Sequence, residues 1–134
     1  MPHLEVRGAI DLSAVHRRFR IHSYREDSLV LKAQGCYLSQ DSRTLLFDCL
    51  VAEQFLRQGF FVLCAAKDDA IMVRLLPRTS PEKTDGVKRS VAWIAAWLQT
   101  FDPSAKIGTS NLESRVAGPF PADAFPGTDG TARG

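Results

Sequence analysis

The stretch that decides the fold runs from residue 28 to residue 76, SLVLKAQGCYLSQDSRTLLFDCLVAEQFLRQGFFVLCAAKDDAIMVRLL. Folding 28–38 back onto 44–52 around the polar loop 39–43 sets Leu31 opposite Val51, Ala33 opposite Cys49, Gly35 opposite Phe47 and Tyr37 opposite Leu45. That face is wholly apolar, as one side of a hairpin packed on a core should be. Its reverse sets Lys32 opposite Leu50 and Gln34 opposite Asp48, a surface that can meet water. A competing reading makes 42–58 one helix stopped by Gly59. Leu45, Leu46, Phe47, Leu50, Val51 and Phe55 then point around the whole circumference and leave no polar face, so the hairpin is favoured. The link 53–59 becomes a turn or a single helical turn.

A second hairpin pairs 60–66 with 70–76 across Lys67-Asp68-Asp69, setting Phe61 opposite Leu75, Leu63 opposite Val73 and Ala65 opposite Ile71. Its other face holds Phe60, Val62, Cys64, Met72 and Leu76 beside Arg74 and is almost as apolar. A sheet with one solvated side alternates more cleanly, so both faces call for a cover.

Outward from this centre, 4–10 reads as a strand in which Gly8 marks a bulge or a close backbone approach. Asp11 or Ser13 can cap a short helix ending near Arg20, with Leu12, Val15 and Phe19 on one face. After the hairpins, 77–86 is a loop, and Thr84 or Asp85 caps a helix reaching about Thr100. Its apolar stripe is Val87, Val91, Ile94, Leu98 and Phe101, with Trp93 and Trp97 on an adjoining face and Lys88, Arg89 and Gln99 left for solvent. The class is α+β: an antiparallel β meander of four to five strands, with a short N-terminal helix and a C-terminal helix packed on the sheet. Residues 1–102 form the single domain. From 103 to 134 the chain turns rich in Gly, Pro, Ser, Thr and Ala, too poor in large apolar groups to offset ordering entropy, and reads as a mostly disordered tail.

Seventeen Lys and Arg against fifteen Asp and Glu leave a net charge of +2 among 134 residues, which disfavours a dedicated nucleic-acid binder. The longest strongly apolar run, 60–66, is far shorter than a membrane span. No signal peptide is read at the N-terminus, and a cytoplasmic location is expected. Cys36, Cys49 and Cys64 are odd in number and lack CxxC spacing, so neither a disulfide framework nor a zinc knuckle is expected. His16 and His22 do not share a helical face, and no metal or cofactor is expected.

Arg17, Arg18, Arg20, His22 and Arg25, with His16, form the densest positive cluster. Such a segment can bind phosphate, a carboxylate or an RNA backbone, though a solvated helix face has the same composition. The loop 78–86 leads into a helix N-terminus but carries no GxxxxGK[ST], and no GxSxG or convergent carboxylate pair is present. The tryptophans fit packing on a sheet better than stacking on bases. The sequence therefore points to a small soluble, non-catalytic binding or adaptor protein that pairs as a homodimer through the row Phe60, Val62, Cys64, Met72 and Leu76. The alternative is an enzyme or carrier with a pocket between sheet and helices, holding an anionic small molecule through Arg17, Arg18, Arg20, His22 and Arg25. An RNA-binding module using the same segment ranks below both.

Overall fold

The computed structural model describes residues 2–76 and 83–125; most of the loop expected before the second long helix, and the tail beyond residue 125, lie outside the described residues. The described chain is α+β. Seven strands, β1 (His3–Arg7), β2 (His22–Glu26), β3 (Leu29–Leu38), β4 (Thr44–Glu53), β5 (Leu56–Lys67), β6 (Ala70–Leu75) and β7 (Lys106–Ser110), form one sheet in the order β2-β3-β4-β5-β6-β1-β7. Each neighbouring pair is antiparallel. The sheet curls into a half-barrel around α2 (Asp85–Gln99), while α1 (Leu12–Arg18) packs against β3 and β4.

The helical alternative for 42–58 is overturned: Thr44–Glu53 is a strand paired along its length with β3 and β5. The link expected over 53–59 shrinks to Gln54 and Phe55, because Glu53 pairs with Leu56 and β5 begins there. Phe55 is left 95% exposed. In the β3–β4 hairpin, Leu31 faces Val51 and Ala33 faces Cys49 as expected. The register then shifts between Ala33 and Gly35, so Cys36, not Gly35, faces Phe47, and Leu38, not Tyr37, faces Leu45. A bulge adds one residue to one strand and exchanges the faces beyond it. Tyr37 accordingly stands 58% exposed.

The β5–β6 hairpin is corrected by one residue. Lys67 pairs with Ala70, leaving the two-residue turn Asp68-Asp69, with Asp68 at φ 54°. A two-residue loop demands such left-handed backbone, which Asp tolerates better than most residues. The slip sets Val62 opposite Leu75 and Cys64 opposite Val73. Phe60, Val62 and Cys64 are therefore core residues, and Phe61, Leu63 and Ala65 turn outward.

Two strands exceed the expected four to five. The inward residues of β2 are His22, Tyr24 and Glu26, too polar to register as a buried strand. The second addition, β7, pairs with β1, with Val6 opposite Ile107. This corrects the expectation of a disordered tail for residues up to 125. Beyond β7, Val116 of α3 (Ser114–Ala117) is buried, and a 3-10 turn (Ala122–Ala124) places Ala124 and Phe125 in the core. Sparse apolar groups suffice here because hydrogen bonds anchor the backbone: Trp93 Nε1 donates to the Ala124 carbonyl at 2.7 Å.

With the half-barrel on one side and this segment on the other, α2 is buried almost all round, including Arg89. Its N-terminus is capped from two directions. Thr84 Oγ1 accepts from Val87 N, and Glu53 Oε1 accepts from Gly86 N at 3.2 Å. A Cβ on Gly86 would come within 2.7 Å of Val51 Cγ2, so glycine permits the close approach.

Candidate functional site

The five basic residues singled out from the sequence do not converge. Arg17 and Arg18 lie in the last turn of α1, and Arg18 sits over the Phe101 ring at 5.1 Å. Arg20 turns back to donate to the carbonyls of Arg17 and Phe19, satisfying acceptors at the end of α1. His22 and Arg25 occupy opposite faces of β2: His22 points inward beside Trp93, ring centroids 6.3 Å apart, and Arg25 is exposed on the outer face.

Among the described residues, the space between sheet and helix, where the alternative reading places its pocket, is packed with side chains. A void of about 10 Å³ remains, bordered by Phe19, His22, Phe47, Trp93, Trp97 and Phe125. That is room for roughly one water. His22 Nε2 is buried against it with no hydrogen-bond partner among the described residues.

The thiols are poor nucleophiles. Burial pushes Cys36 up to about 12, and it pushes fully buried Cys49 and Cys64 far above the ordinary thiol value. At neutral pH all three remain protonated, and only the thiolate attacks or ligates. Among the described residues, no three His, Cys, Asp or Glu side chains gather at a metal-sized site.

The polar centre is Arg89, which the helix pattern assigned to solvent. Its Nε and Nη2 fork onto Glu26, at 3.0 and 2.7 Å, and its remaining hydrogens reach the carbonyls of Val116, Gly118 and Pro119. The Phe120 ring lies 3.6 Å from the guanidinium carbon. These contacts tie β2 and the C-terminal segment to α2, and the guanidinium holds the Glu26 carboxyl below its ordinary range. Every polar hydrogen of this arginine is engaged within the fold.

The open chemistry lies on the outer face of the sheet. At its centre, Leu46 faces Leu63, and Phe61 and Met72 stand nearby, all half-buried. Toward the β4–β5 turn the side chains shorten and two cross-strand rows enclose a depression. One row runs Arg25, Val30, Ala52, Arg57 across β2 to β5, and the next runs Ser23, Lys32, Leu50, Gly59. The hollow over Leu50, Ala52 and Gly59 measures about 430 Å³ and adjoins a second of about 590 Å³ beside Arg25 and Phe55. The side chains of Arg25, Lys32 and Arg57 make no ion pair or hydrogen bond among the described residues. Sequence reading missed Arg57 because its kinship with Arg25 appears only when the registers of three strand pairs are combined.

Comparison with protein-family models, with curated proteins and with solved structures finds no match.

Proposed function

We propose that the chain is a non-catalytic binding protein that works as a homodimer, two copies packing through the outer faces of their sheets. The observation that carries this reading is the apolar centre of that face, Leu46, Phe61, Leu63 and Met72, which no element covers among the described residues. Of the row Phe60, Val62, Cys64, Met72 and Leu76 expected to make the dimer, Phe60, Val62 and Cys64 are core while Met72 and Leu76 are half-buried, so the one-residue register correction moves the β5 contact to the opposite side of the strand. Sheets that pack face to face lie roughly 10 Å apart with their inner side chains interdigitated.

The face is also self-complementary in charge. Asp48 stands on β4 and Arg74 on β6, on either side of β5. A two-fold axis along β5 lays β4 of one copy over β6 of the other, within an arginine's reach of an Asp48–Arg74 pair. Packing between sheet and helix among the described residues weighs against the enzyme or carrier reading, since the void of about 10 Å³ there admits no metabolite.

Sedimentation equilibrium tests the proposal. The unmodified protein should be dimeric at roughly 100 μM, where even a micromolar dimer assembles. Leu63→Glu, an outward change, should give folded monomers, whereas Val62→Glu should unfold the chain because that side chain is fully buried. A monomer at every concentration overturns the reading.

A further inference from the structure

We infer that the hollow beside the β4–β5 turn is a docking site for a short acidic peptide, bound extended across the strands, with carboxylates four residues apart and an aliphatic side chain between them. The site goes beyond the dimer reading and uses other residues, toward the β4–β5 end of the same outer face, where a second copy laid along β5 competes with the peptide over Arg57 and Gly59.

The argument starts from the register. Arg25, Val30, Ala52 and Arg57 are directly opposed residues on four successive strands, so the two cations end a row whose middle is apolar. Three strand spacings of roughly 4.8 Å separate them by about 14 Å at the backbone. In an extended peptide, side chains i, i+2 and i+4 share a face, and i and i+4 are about 13 Å apart. Carboxylates at those positions meet Arg25 and Arg57, and the side chain at i+2 rests on Val30 and Ala52. Lys32, in the next row, gives a third cation beside the floor.

The floor is low because Ala52 and Gly59 are small. A Cβ on Gly59 would meet Leu50 Cδ2 at 3.4 Å, an ordinary contact, so packing beneath the sheet does not require glycine there. The cations add a second observation. Arg25, Lys32 and Arg57 have no carboxylate or carbonyl partner among the described residues, so their charges at the rim are open to a ligand. Glu53, the nearest carboxylate along β4, is committed to Thr84 and Gly86.

The form of the hollow selects the partner. It is open on one side, so it suits a chain laid over it better than an enclosed metabolite. Its floor of Val30, Leu50, Ala52 and Gly59 is aliphatic, and the ring at its edge, Phe55 on the β4–β5 turn, stands without a second ring beside it among the described residues that line the two hollows, whereas single-stranded RNA is held largely by successive bases stacked on several rings. A peptide with aliphatic and acidic side chains satisfies both floor and rim.

Fluorescence anisotropy on the full chain tests this with a labelled peptide Glu-Ser-Leu-Ser-Glu, its Gln-Ser-Leu-Ser-Gln counterpart and labelled oligouridylate. The glutamate peptide should bind, the glutamine peptide at least about tenfold more weakly, the loss expected when charge-assisted bonds become neutral. Arg25→Glu and Arg57→Glu should each weaken binding about tenfold or more without shifting the melting temperature. The double reversal should instead prefer Lys-Ser-Leu-Ser-Lys. Gly59→Leu, which keeps every charge and raises the floor, should also abolish binding. No binding of the glutamate peptide up to about 1 mM, equal affinity in the reversal variants, or oligouridylate binding more tightly through the same arginines overturns the proposal. The monomeric Leu63→Glu variant should bind the glutamate peptide at least as tightly as the unmodified protein does, because no second copy overlies Gly59 and Arg57 in it, and this separates failure of the site from failure of the dimer.

Discussion

The Arg89 guanidinium is 7% exposed and has one acceptor for each of its five N–H groups. Replacing it by methionine keeps the stem and deletes the charge, stranding the Glu26 carboxylate and three carbonyls. Urea denaturation of Arg89→Met should show a loss of about 3 to 5 kcal/mol, the scale for breaking a buried ion pair from one side. Lysine should not restore it, because one ammonium cannot reach two carboxylate oxygens and three carbonyls in a planar fork. The same pair fixes a pH dependence. Arg89 first, and then the hydroxyl of Tyr24, hold Glu26 below its ordinary value of 4.5. A carboxyl depressed in the folded state contributes stability that is complete above its unfolded pKa and lost as pH falls through the folded one. Melting temperature should therefore drop as pH falls below about 4.5, and Glu26→Gln should flatten that part of the profile. The thiols give a separate check: none should react with a disulfide reagent at pH 8 in the folded protein, and all three should react in denaturant, because burial holds Cys36 at about 12 and pushes Cys49 and Cys64 well above the ordinary thiol value.

At the scale of strands, the two readings of β5 differ by one residue and predict opposite mutants. Phe60 is 2% exposed and belongs to the core, while Phe61 is half-buried on the outer face. Phe60→Ala should cost about 3 to 5 kcal/mol, and Phe61→Ala less than half as much; the reverse order would restore the unshifted hairpin. What the sequence made legible was alternation: the β3–β4 hairpin, the apolar stripe of α2, the Asp11 and Thr84 caps, and the close approach at Gly8, where an added Cβ would meet Ala105 Cβ at 2.9 Å. Alternation could not reveal where it breaks. A stretch apolar on both faces, like 60–66, has two registers of nearly equal appeal, and the choice falls to the Asp68-Asp69 turn. Nor does periodicity find elements whose inward residues are polar. His22, Tyr24 and Glu26 look like an exit loop until Arg89 and Trp93 are placed against them, and β7 looks like linker until β1 is beside it. The basic segment is dispersed for a related reason: five cations close in sequence do not reveal that β2 turns His22 and Arg25 to opposite faces.

For the whole molecule, the question is whether the C-terminal segment belongs to the cooperative unit or is a strap laid on a domain that stands without it. Three facts favour the first. Trp93, at the centre of α2, donates to Ala124; β7 completes the ladder of β1; and Arg89 joins the segment to β2 at the far edge of the sheet. Removing residues 104–134 thus exposes Trp93, leaves β1 an edge, and deprives Arg89 of its carbonyls. The truncated chain should melt far below the full one, with the loss carried by the contacts of residues up to 125. The tryptophans read the cooperativity directly. Trp93 stacks near Tyr24 under the C-terminal segment, and Trp97 lies edge-on to Phe47 and Phe101 near α1, so the two rings report on different neighbours of the helix. Loss of the sheet, followed by far-UV circular dichroism, and exposure of the indoles, followed by fluorescence, should share one urea midpoint at fixed protein concentration, with a slope in the range of about 1 to 3 kcal/mol per molar for a domain of this size. The Trp93→Phe variant, read through Trp97 alone, should likewise show coincident curves. Fluorescence that changes before the dichroism in the unmodified protein but not in Trp93→Phe would show the segment unlatching first, and the structure would then be a half-barrel and helix with a separable strap.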